Sequence, residues 1–180
     1  MKVIVLDRDG VINEDSDDFV KSVGEWVPIA GSLEAMARLN QAGYRLVVAT
    51  NQSGLGRGLL TLDDLNAMHQ RLHDRLAELG GQIDAIFFCP HRSEDQCACR
   101  KPRPGLLLAV RERFGVAASD LVVIGDSLRD LESAWVAGVA AVLVLTGKGS
   151  RTLAEHRERL GETPVYRDLA AAADAILAVA

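Results

Sequence analysis

The sequence has few aromatic residues, few cysteines and no long hydrophobic segment. No apolar run in its 180 residues approaches the roughly 20 that a membrane-spanning helix needs. The first acidic residue, Asp7, comes too early for the apolar stretch of a secretory signal to precede it. We therefore expect neither a membrane protein nor a secreted one.

The sequence also has fewer basic residues than acidic ones. The formal net charge is -5 at pH 7, whereas proteins that bind nucleic-acid phosphates are normally basic. The hydrophobic fraction of 48% is too high for a disordered chain, and 180 residues suit one domain. We expect a single domain spanning residues 1–180, a monomer, with no nucleic-acid or membrane partner.

The three cysteines all fall between Cys89 and Cys99. An odd number of cysteines within eleven positions is not a disulfide framework. This usage indicates a thiol-reducing compartment, so we predict a cytoplasmic protein that uses its cysteines for a metal.

Short apolar runs alternate with helical patterns along the chain. The runs are unbroken rather than alternating, as in strands whose sheet is covered by helices on both faces. Ser32 is predicted to cap a helix that ends at Gly43, and Thr61 with Asp64 forms the capping box of a longer one that ends at Gly80. The predicted strands are 3–6, 46–49, 85–88, 121–124 and 141–145, and the other helices are 105–114, 128–136 and 168–179.

This alternation predicts an α/β fold, a Rossmann-like three-layer α/β/α sandwich with a central parallel sheet. Two polar stretches interrupt it, residues 13–28 and 89–104, each directly after a strand. Between Asp9 and Thr50 only a loop and one helix fit, so we expect no large cap domain. Specificity must then come from fixed loops, at 13–20, 51–58 and 92–103.

Acidic side chains follow two of the predicted strands where each strand ends. In a parallel sheet these ends meet at one edge, which is where such folds bind ligands. Crowded carboxylates repel one another unless a cation lies among them, and hard oxygen ligands suit Mg²⁺. A lysine and a threonine beside them would complete a phosphoryl-transfer site. The residues in question are Asp7, Asp9, Thr50, Lys101, Asp126 and Asp130.

Each aspartate alone is more readily explained as a turn former or a helix cap. The ordered set is different, because these residues resemble the four motifs of the haloacid dehalogenase superfamily of phosphohydrolases over residues 3–146. The resemblance implies that Asp7 is the nucleophile that becomes a phosphoaspartate, and that Asp9 is the general acid and then the general base. It implies that Thr50 and Lys101 hold the transferring phosphoryl group.

The same resemblance implies the magnesium ligands. Asp7, Asp126 and the main-chain oxygen of Asp9 would bind Mg²⁺, with Asp130 orienting groups behind them. For proton transfer, Asp9 must be able to carry a proton, which burial or neighbouring charge would favour.

A zinc site is predicted in the loop at 89–104. Cys89, His91, Cys97 and Cys99 give the Cys₃His set of a structural zinc, in two closely spaced pairs. Buried free thiols or a redox pair are the alternatives, although Cys97 and Cys99 lie among charged residues. We expect zinc to hold a loop too polar to form a core of its own.

Longer motifs resemble the heptose-bisphosphate 7-phosphatase family of bacterial lipopolysaccharide or S-layer sugar synthesis. They are Asp-Arg-Asp-Gly at 7–10, Thr-Asn-Gln-Ser-Gly at 50–54 and the cysteine loop with Arg-Lys-Pro at 100–102. This implies removal of the 7-phosphate of D-glycero-D-manno-heptose 1,7-bisphosphate. The second phosphate needs further cations, for which Arg57 and Arg100 are candidates. The predicted substrate-binding residues are Arg8, Asp15, Asp18, Thr50, Asn51, Gln52, Ser53, Arg57, Arg100 and Lys101.

The chain departs from that family at two places, Asp15–Phe19, where members often carry a His-Gly-Tyr-like stretch, and Ser127, where some carry lysine. Histidinol-phosphate phosphatase shares the aspartates and the zinc loop, but its relatives tend to have aspartate at position 53. A non-catalytic zinc-stapled binding module is the other alternative, although it would need neither Asp7 nor Asp9.

Two further patterns have weaker interpretations. His69 and His73 lie four apart on the long helix and could face one ligand, although surface or hydrogen-bonded histidines are commoner. The Gly147-Lys148 pair lacks the upstream glycine of a P-loop.

Overall fold

Six parallel strands form one sheet in the order β3-β2-β1-β4-β5-β6. The structure is a computed structural model that describes residues 2–179, so Met1 and Ala180, the ends of the predicted domain, lie outside it. All five predicted strands are present, and a sixth of two residues was not predicted. The strands are β1 (Val3–Leu6), β2 (Arg45–Asn51), β3 (Ala85–Cys89), β4 (Leu121–Gly125), β5 (Ala140–Val144) and β6 (Val165–Tyr166).

Helices cover both faces of the sheet, which confirms the three-layer prediction. Apolar residues of α1, α3 and α7 form one core cluster against the sheet, and those of α4 and α5 form a second on the opposite face. The capping box of Thr61 and Asp64 begins α3 as predicted. The helices described are α1 (Ser32–Gln41), α2 (Ser53–Gly56), α3 (Leu62–Ala77), α4 (Gly105–Phe114), α5 (Leu128–Val136), α6 (Gly149–Leu160) and α7 (Leu169–Ala178).

The prediction that Ser32 caps α1 is wrong. The N-cap is Gly31, which has a φ of 80° that glycine adopts without strain. The Ser32 hydroxyl instead donates to the carbonyl oxygens of Ile12 and Ile29, each at 2.7 Å. It therefore fastens the loop after β1 to the start of α1.

Helix α6 was not recognised from the sequence. Its residues 155–159 are charged and mostly exposed, and only Gly149, Thr152 and Leu160 are buried. A helix that presents so little apolar surface lacks the hydrophobic periodicity that sequence reasoning depends on.

The carboxyl ends of β1, β2, β4 and β5 meet at one edge of the sheet. The chain crosses from one face to the other between β3 and β4, so the crevice beside β1 and β4 lies where the strand order reverses. Residues 7–31 between β1 and α1 form a loop pinned by a bridge between Asn13 and Pro28, with no cap domain. In residues 2–179, no helix is both long enough and apolar enough to cross a bilayer.

Candidate active site

A cavity of about 730 Å³ opens at this edge of the sheet. It receives side chains from the ends of β1, β2 and β4, from the loop after β1, and from the cysteine loop at 89–104. Most of the predicted site residues line it, namely Asp7, Asp9, Asp15, Thr50, Asn51, Gln52, Ser53, Arg57, Arg100, Lys101, Asp126 and Asp130.

Asp7 and Lys101 face each other at the floor of the cavity. The Lys101 Nζ lies 3.0 Å from Asp7 Oδ1, and that oxygen also accepts the Arg8 backbone N–H at 2.7 Å. Both contacts fix Oδ1, while Asp7 Oδ2 accepts no hydrogen bond from residues 2–179. One carboxylate oxygen is therefore held in place and the other is open to the cavity.

The Asp126 carboxylate is enclosed by two glycines. A Cβ on Gly10 or Gly147 would lie 2.1 or 2.2 Å from Asp126 Oδ2, and both glycines have positive φ. The same oxygen accepts the Lys148 backbone N–H at 2.7 Å. The loop after β5 therefore packs against Asp126, and Gly147 and Lys148 contact a carboxylate there.

Asp130 acts as the anchor of Lys101. Its Oδ1 lies 2.5 Å from Lys101 Nζ, and its Oδ2 accepts the backbone N–H and the hydroxyl of Ser127 at 3.0 and 2.6 Å. Although burial disfavours charge, Asp130 and Asp7 raise the pKa of Lys101 above its ordinary value. Since both Asp130 oxygens are engaged, this carboxylate orients Lys101 and the start of α5.

The donor set of Asp7 and Asp126 fits a divalent cation. One carboxylate oxygen each of Asp7, Asp126 and Asp130 lie within 4.8 Å of one another. Burial and the neighbouring carboxylates raise the pKa of Asp7 to about 6 and that of Asp126 to about 8. Repulsion makes it unfavourable for neighbouring carboxylates to be ionised at the same time. A hard cation that prefers oxygen ligands, such as Mg²⁺, would remove this repulsion by binding between them.

Asp9 is held by three side chains. Its Oδ1 accepts from Arg8 Nε at 3.1 Å, Arg8 Nη2 at 2.9 Å and Asn13 Nδ2 at 2.8 Å. Its Oδ2 accepts from Gln52 Nε2 at 2.9 Å and, less closely, from Arg8 Nη2 at 3.1 Å. Oδ1 is saturated with donors, so Oδ2 is the oxygen with room for a proton.

Two predicted phosphate-binding residues do not line the cavity. Arg8 is fully buried behind Asp9, with none of its surface exposed. Asp18 is exposed outside the cavity lining, where its backbone carbonyl accepts from Lys21 Nζ. Arg8 therefore contacts the Asp9 carboxylate and Asp18 faces solvent, so neither lies where it was predicted to bind substrate.

The polar residues at the carboxyl end of β2 and just after it organise the phosphoryl side of the site. Thr50 is 1% exposed, and its hydroxyl accepts from Gln52 Nε2 at 3.0 Å. The Asn51 amide bonds to both the backbone carbonyl and the backbone N–H of Lys101, each at 3.1 Å. Gln52 therefore links Thr50 to Asp9, and Asn51 fixes the backbone that carries Lys101.

Cations crowd the outer wall of the cavity. Burial, and then the like charge of Arg129, lower the pKa of Arg100. Sequence reasoning selected Arg57 and Arg100 but missed Arg92 and Arg129, which line the same cavity. In the sequence, Arg129 is marked only by its place shortly after a strand, and Arg92 only by its place in the cysteine loop. Such a position does not distinguish a residue that lines a cavity from one that faces solvent.

One acidic residue faces a cation across the cavity mouth. Asp15 Oδ2 lies 2.6 Å from Lys148 Nζ, which joins the loop after β1 to the loop after β5. Asp15 was predicted as a substrate ligand, whereas Lys148 was not predicted at all.

The cysteine loop brings four possible zinc ligands together. Separations of 3.4–3.6 Å join neighbouring ligand atoms around the cluster, and all four atoms lie within 4.8 Å of one another. Tetrahedral zinc with bonds of about 2.0–2.3 Å places its ligands about 3.6–3.8 Å apart, so the set fits this metal. The atoms are the Sγ of Cys89, Cys97 and Cys99 and the Nδ1 of His91.

The same loop positions the cations next to it. Arg100 Nη1 donates to the His91 carbonyl at 3.2 Å, and Gly56 N–H donates to the Pro90 carbonyl at 3.0 Å. The four-ligand cluster thus lies between the backbone that carries Arg100 and Lys101 and the short helix α2.

Comparisons with known proteins agree with this geometry. A family model described as polynucleotide kinase 3 phosphatase matches residues 2–130, and one described as HAD-hydrolase-like matches residues 98–172. A D-glycero-beta-D-manno-heptose-1,7-bisphosphate 7-phosphatase of Bordetella bronchiseptica is 53% identical over 177 residues, covering 98% of both chains. The chain belongs to this family of haloacid dehalogenase-like phosphatases. It is a phosphoric monoester hydrolase.

Other members of the phosphatase family extend the similarity. The Neisseria meningitidis protein of the same name is 52% identical over 170 residues, covering 94% of this chain and 91% of its own. The crystal structure of the D,D-heptose 1,7-bisphosphate phosphatase from B. bronchiseptica, complexed with magnesium and phosphate, superposes with a TM-score of 0.95. It is 52% identical, and the match covers the whole of both chains.

Proposed function

We propose that this phosphatase removes the 7-phosphate of D-glycero-D-manno-heptose 1,7-bisphosphate and that it acts on the β anomer. The observation that carries the proposal is the cavity itself, with a nucleophile and a cation site at its floor and a second group of cations on its wall. Relatives about half identical over nearly the full chain bear the name of this activity.

Asp7 and Asp126 are the side chains proposed to hold Mg²⁺, with the main-chain oxygen of Asp9. The bound cation would neutralise charge on the phosphoryl oxygens and on the two carboxylates. The magnesium and phosphate in the B. bronchiseptica structure support this assignment.

The first half-reaction is a transfer of the phosphoryl group to Asp7. An Asp7 carboxylate oxygen attacks phosphorus, and the bond from phosphorus to the sugar oxygen breaks. Asp9 Oδ2 gives its proton to that sugar oxygen as it leaves. Lys101 and the Thr50 hydroxyl bind the equatorial phosphoryl oxygens, where negative charge is greatest.

The second half-reaction releases phosphate from the phosphoaspartate. Water attacks phosphorus, Asp9 Oδ2 takes a proton from it, and the bond from phosphorus to Asp7 breaks. Because the site has no cap, water can enter once the sugar leaves, which favours hydrolysis over transfer to a second sugar.

The second phosphate would bind on the cationic wall. Arg57, Arg92 and Arg100 line it, and no carboxylate pairs with Arg100 among residues 2–179. Arg57 approaches Glu94 only loosely, at 3.8 Å, and Arg92 lies 3.7 Å from Glu94 and 3.2 Å from Asp95, with all of these side chains exposed. Exposed ion pairs of this kind contribute little, so a phosphate can take their place.

A phosphate-release panel tests the proposed substrate. We expect kcat/KM for the heptose 1,7-bisphosphate to exceed that for heptose 7-phosphate by about tenfold or more, because the latter lacks the group for the cationic wall. Histidinol phosphate should be slower still. An equal rate on all three compounds, or a preference for histidinol phosphate, would contradict the proposal.

Arg100→Ala supplies the control for that panel. It should reduce the preference for the bisphosphate over the 7-phosphate, while Arg113→Ala, which alters an exposed arginine on α4, should leave the preference unchanged.

Thermal unfolding with and without Mg²⁺ tests the cation site. In the metal-free protein the raised pKa values of Asp7 and Asp126 mean that the folded state binds more protons than the unfolded state between about pH 4 and pH 8. The free energy of unfolding therefore falls as pH rises through that window. Mg²⁺ at about 100 times its Kd should raise Tm by about 5–10 °C at pH 8.

The same addition should raise Tm much less at pH 5, because protons then occupy the carboxylates. Asp126→Asn should abolish the shift at pH 8, and Asp174→Asn, an exposed aspartate on α7, should keep it. A shift of equal size at both pH values would remove Asp7 and Asp126 as the ligands.

We further propose that Cys89, His91, Cys97 and Cys99 bind a structural zinc and that the protein is a cytoplasmic monomer. Zinc is supported by the ligand geometry and by the shortage of apolar contacts in residues 92–96, all of which are exposed. Three cysteines that ligate as thiolates suit a reducing compartment, which supports the location.

A further inference from the structure

Among residues 2–179, three apolar residues line the otherwise polar cavity, namely Phe19, Val20 and Leu59. Val20 is 6% exposed and belongs to one of the two core clusters, which accounts for its apolar side chain. Phe19 and Leu59 belong to neither cluster. Leu59 is 47% exposed and Phe19 is partly exposed, so both present apolar surface to the cavity. The hydrophobic core therefore does not explain why these two positions are apolar.

Phe19 and Leu59 both adjoin Gly54 of α2. A Cβ on that glycine would lie 3.6 Å from Phe19 Cδ1, and the Gly54 carbonyl accepts the Leu59 N–H at 2.9 Å. Isolated apolar residues at a surface are common, whereas adjacent ones in a cavity indicate a binding surface. We call this pair the Phe19–Leu59 face.

The Phe19–Leu59 face borders both the phosphoryl floor and the cationic wall of the cavity. On one side, Gln52, two residues before Gly54, donates to Asp9 Oδ2. On the other side, Arg57 follows Gly54 by three residues and lines the wall. An ester with one phosphate at the floor and a second at the wall must pass this face, and its carbon body is what covers it.

The backbone of Phe19 has a left-handed conformation, with a φ of 65°. Its N–H donates to the Ser16 carbonyl at 3.1 Å, which closes a turn. A bulky residue is strained in this conformation, whereas glycine adopts it freely and asparagine tolerates it. An aromatic residue kept at such a position beside a cavity points to a function of its side chain.

A sugar ring suits this face because it is amphipathic. Its hydroxyl groups point outward from the ring, whereas carbon-bound hydrogens cover much of its two faces. Packing such a face on a phenyl ring and a leucine removes apolar surface of both partners from water. The phosphates and hydroxyl groups of the sugar remain free for the cations and polar side chains of the cavity.

We propose that the Phe19–Leu59 face packs against the carbon-bound hydrogens of the sugar ring, which makes Phe19 a specificity-determining residue. The inference rests on the proposed function, because it takes a sugar phosphate as the substrate. The ring lies away from the breaking bond, so the contact is the same in the ground state and in the transition state. Its loss should therefore raise KM and leave kcat nearly unchanged.

Phe19→Asn tests the contact, because it removes the phenyl ring with a residue that tolerates the left-handed backbone. We expect KM for heptose 1,7-bisphosphate to rise about tenfold, with kcat changed less than about twofold. Acetyl phosphate has no sugar ring, so its kcat/KM should change less than about twofold. The Tm should not fall, because backbone strain is relieved and Phe19 belongs to neither core cluster.

Matched variants separate the phenyl ring from the loop that carries it. Phe19→Tyr keeps the aromatic face and should keep KM within about twofold of the wild-type value. Phe19→Gly, which fits the backbone without strain, should behave as Phe19→Asn does. Leu108→Asn on α4, where the leucine is 48% exposed and does not line the cavity, should leave both activities unchanged.

An unchanged KM for the sugar in both Phe19→Asn and Phe19→Gly would overturn the proposal. Equal losses on the sugar and on acetyl phosphate would also overturn it, because they would show that Phe19 only shapes the loop. A change of oligomeric state with an unchanged KM would assign the face to a second copy of the chain instead.

The ring contact and the second-phosphate site can fail separately. Phe19→Asn should raise KM for heptose 7-phosphate by the same factor as for the bisphosphate, whereas Arg100→Ala should change the ratio between the two. If the wild type prefers another sugar phosphate, the proposed substrate fails. The effect of Phe19→Asn on that ester, relative to acetyl phosphate, then still decides the role of Phe19.

Discussion

Asp7→Asn should abolish phosphate release while leaving the protein folded. The amide keeps the size of the carboxylate but cannot attack phosphorus, so we expect kcat to fall by about 10⁴-fold or more. Phosphate release from the heptose bisphosphate and from 4-nitrophenyl phosphate should fall together, because both pass through the same nucleophile. Turnover retained by a purified and resequenced sample would refute Asp7 as the nucleophile.

The stability of this variant distinguishes lost chemistry from lost structure. Burial raises the pKa of Asp7 to about 6, so its ionised form destabilises the metal-free fold above that pH. The neutral amide removes this effect, and Lys101 keeps Asp130 as its partner. The metal-free variant should therefore have a Tm at or above that of the wild type at pH 8. Asp174→Asn, the same substitution at an exposed aspartate, is the control for the effect of an Asp-to-Asn change on Tm.

Cys97→Ser should lower both the zinc content and the melting temperature. Structural zinc contributes about 10–16 kcal/mol of apparent binding free energy in small zinc modules, and even a fraction of that exceeds what a single side chain normally supplies. Elemental analysis should find less than about one-tenth of the wild-type zinc, because a serine hydroxyl is a poor replacement for a thiolate.

Activity should fall with the zinc, since the loop proposed to bind it carries Arg100 and Lys101. The matched control is Ser93→Ala, an exposed change in the same loop whose hydroxyl bonds only to Glu94. Wild-type zinc content in Cys97→Ser would exclude the proposed ligand set. Loss of zinc with unchanged kcat/KM would show instead that the loop holds Lys101 without metal.

Much of the fold could be predicted because its strands are continuous apolar runs. Strands buried on both faces need such runs, and only a parallel sheet covered by helices uses several of them. Helix α3 could also be predicted, since the capping box of Thr61 and Asp64 marks its start. Helix α6 and the two-residue β6 were missed, because neither buries enough apolar surface to leave a periodic pattern.

The site could be predicted in part for a related reason. Asp7 and Asp126 follow the ends of β1 and β4, and Thr50 lies in the last residues of β2. Parallel strands bring their carboxyl ends to one edge whatever the conformation of the loops. Lys148 comes from the loop after β5, but its contact with Asp15 depends on how two loops meet. The sequence pattern within either loop carries no information about a contact between the two loops.

The order of Asp7, Asp9, Thr50, Lys101 and Asp126 at the ends of apolar runs was enough to predict a phosphoryl-transfer site. The orientation of Arg8 depends instead on how the chain packs around it. A residue between two site aspartates is expected to face the phosphate, yet it is buried against Asp9 instead. The reason is physical: successive residues at the end of a strand point to opposite sides, and which side is core depends on helices packed there from distant parts of the chain.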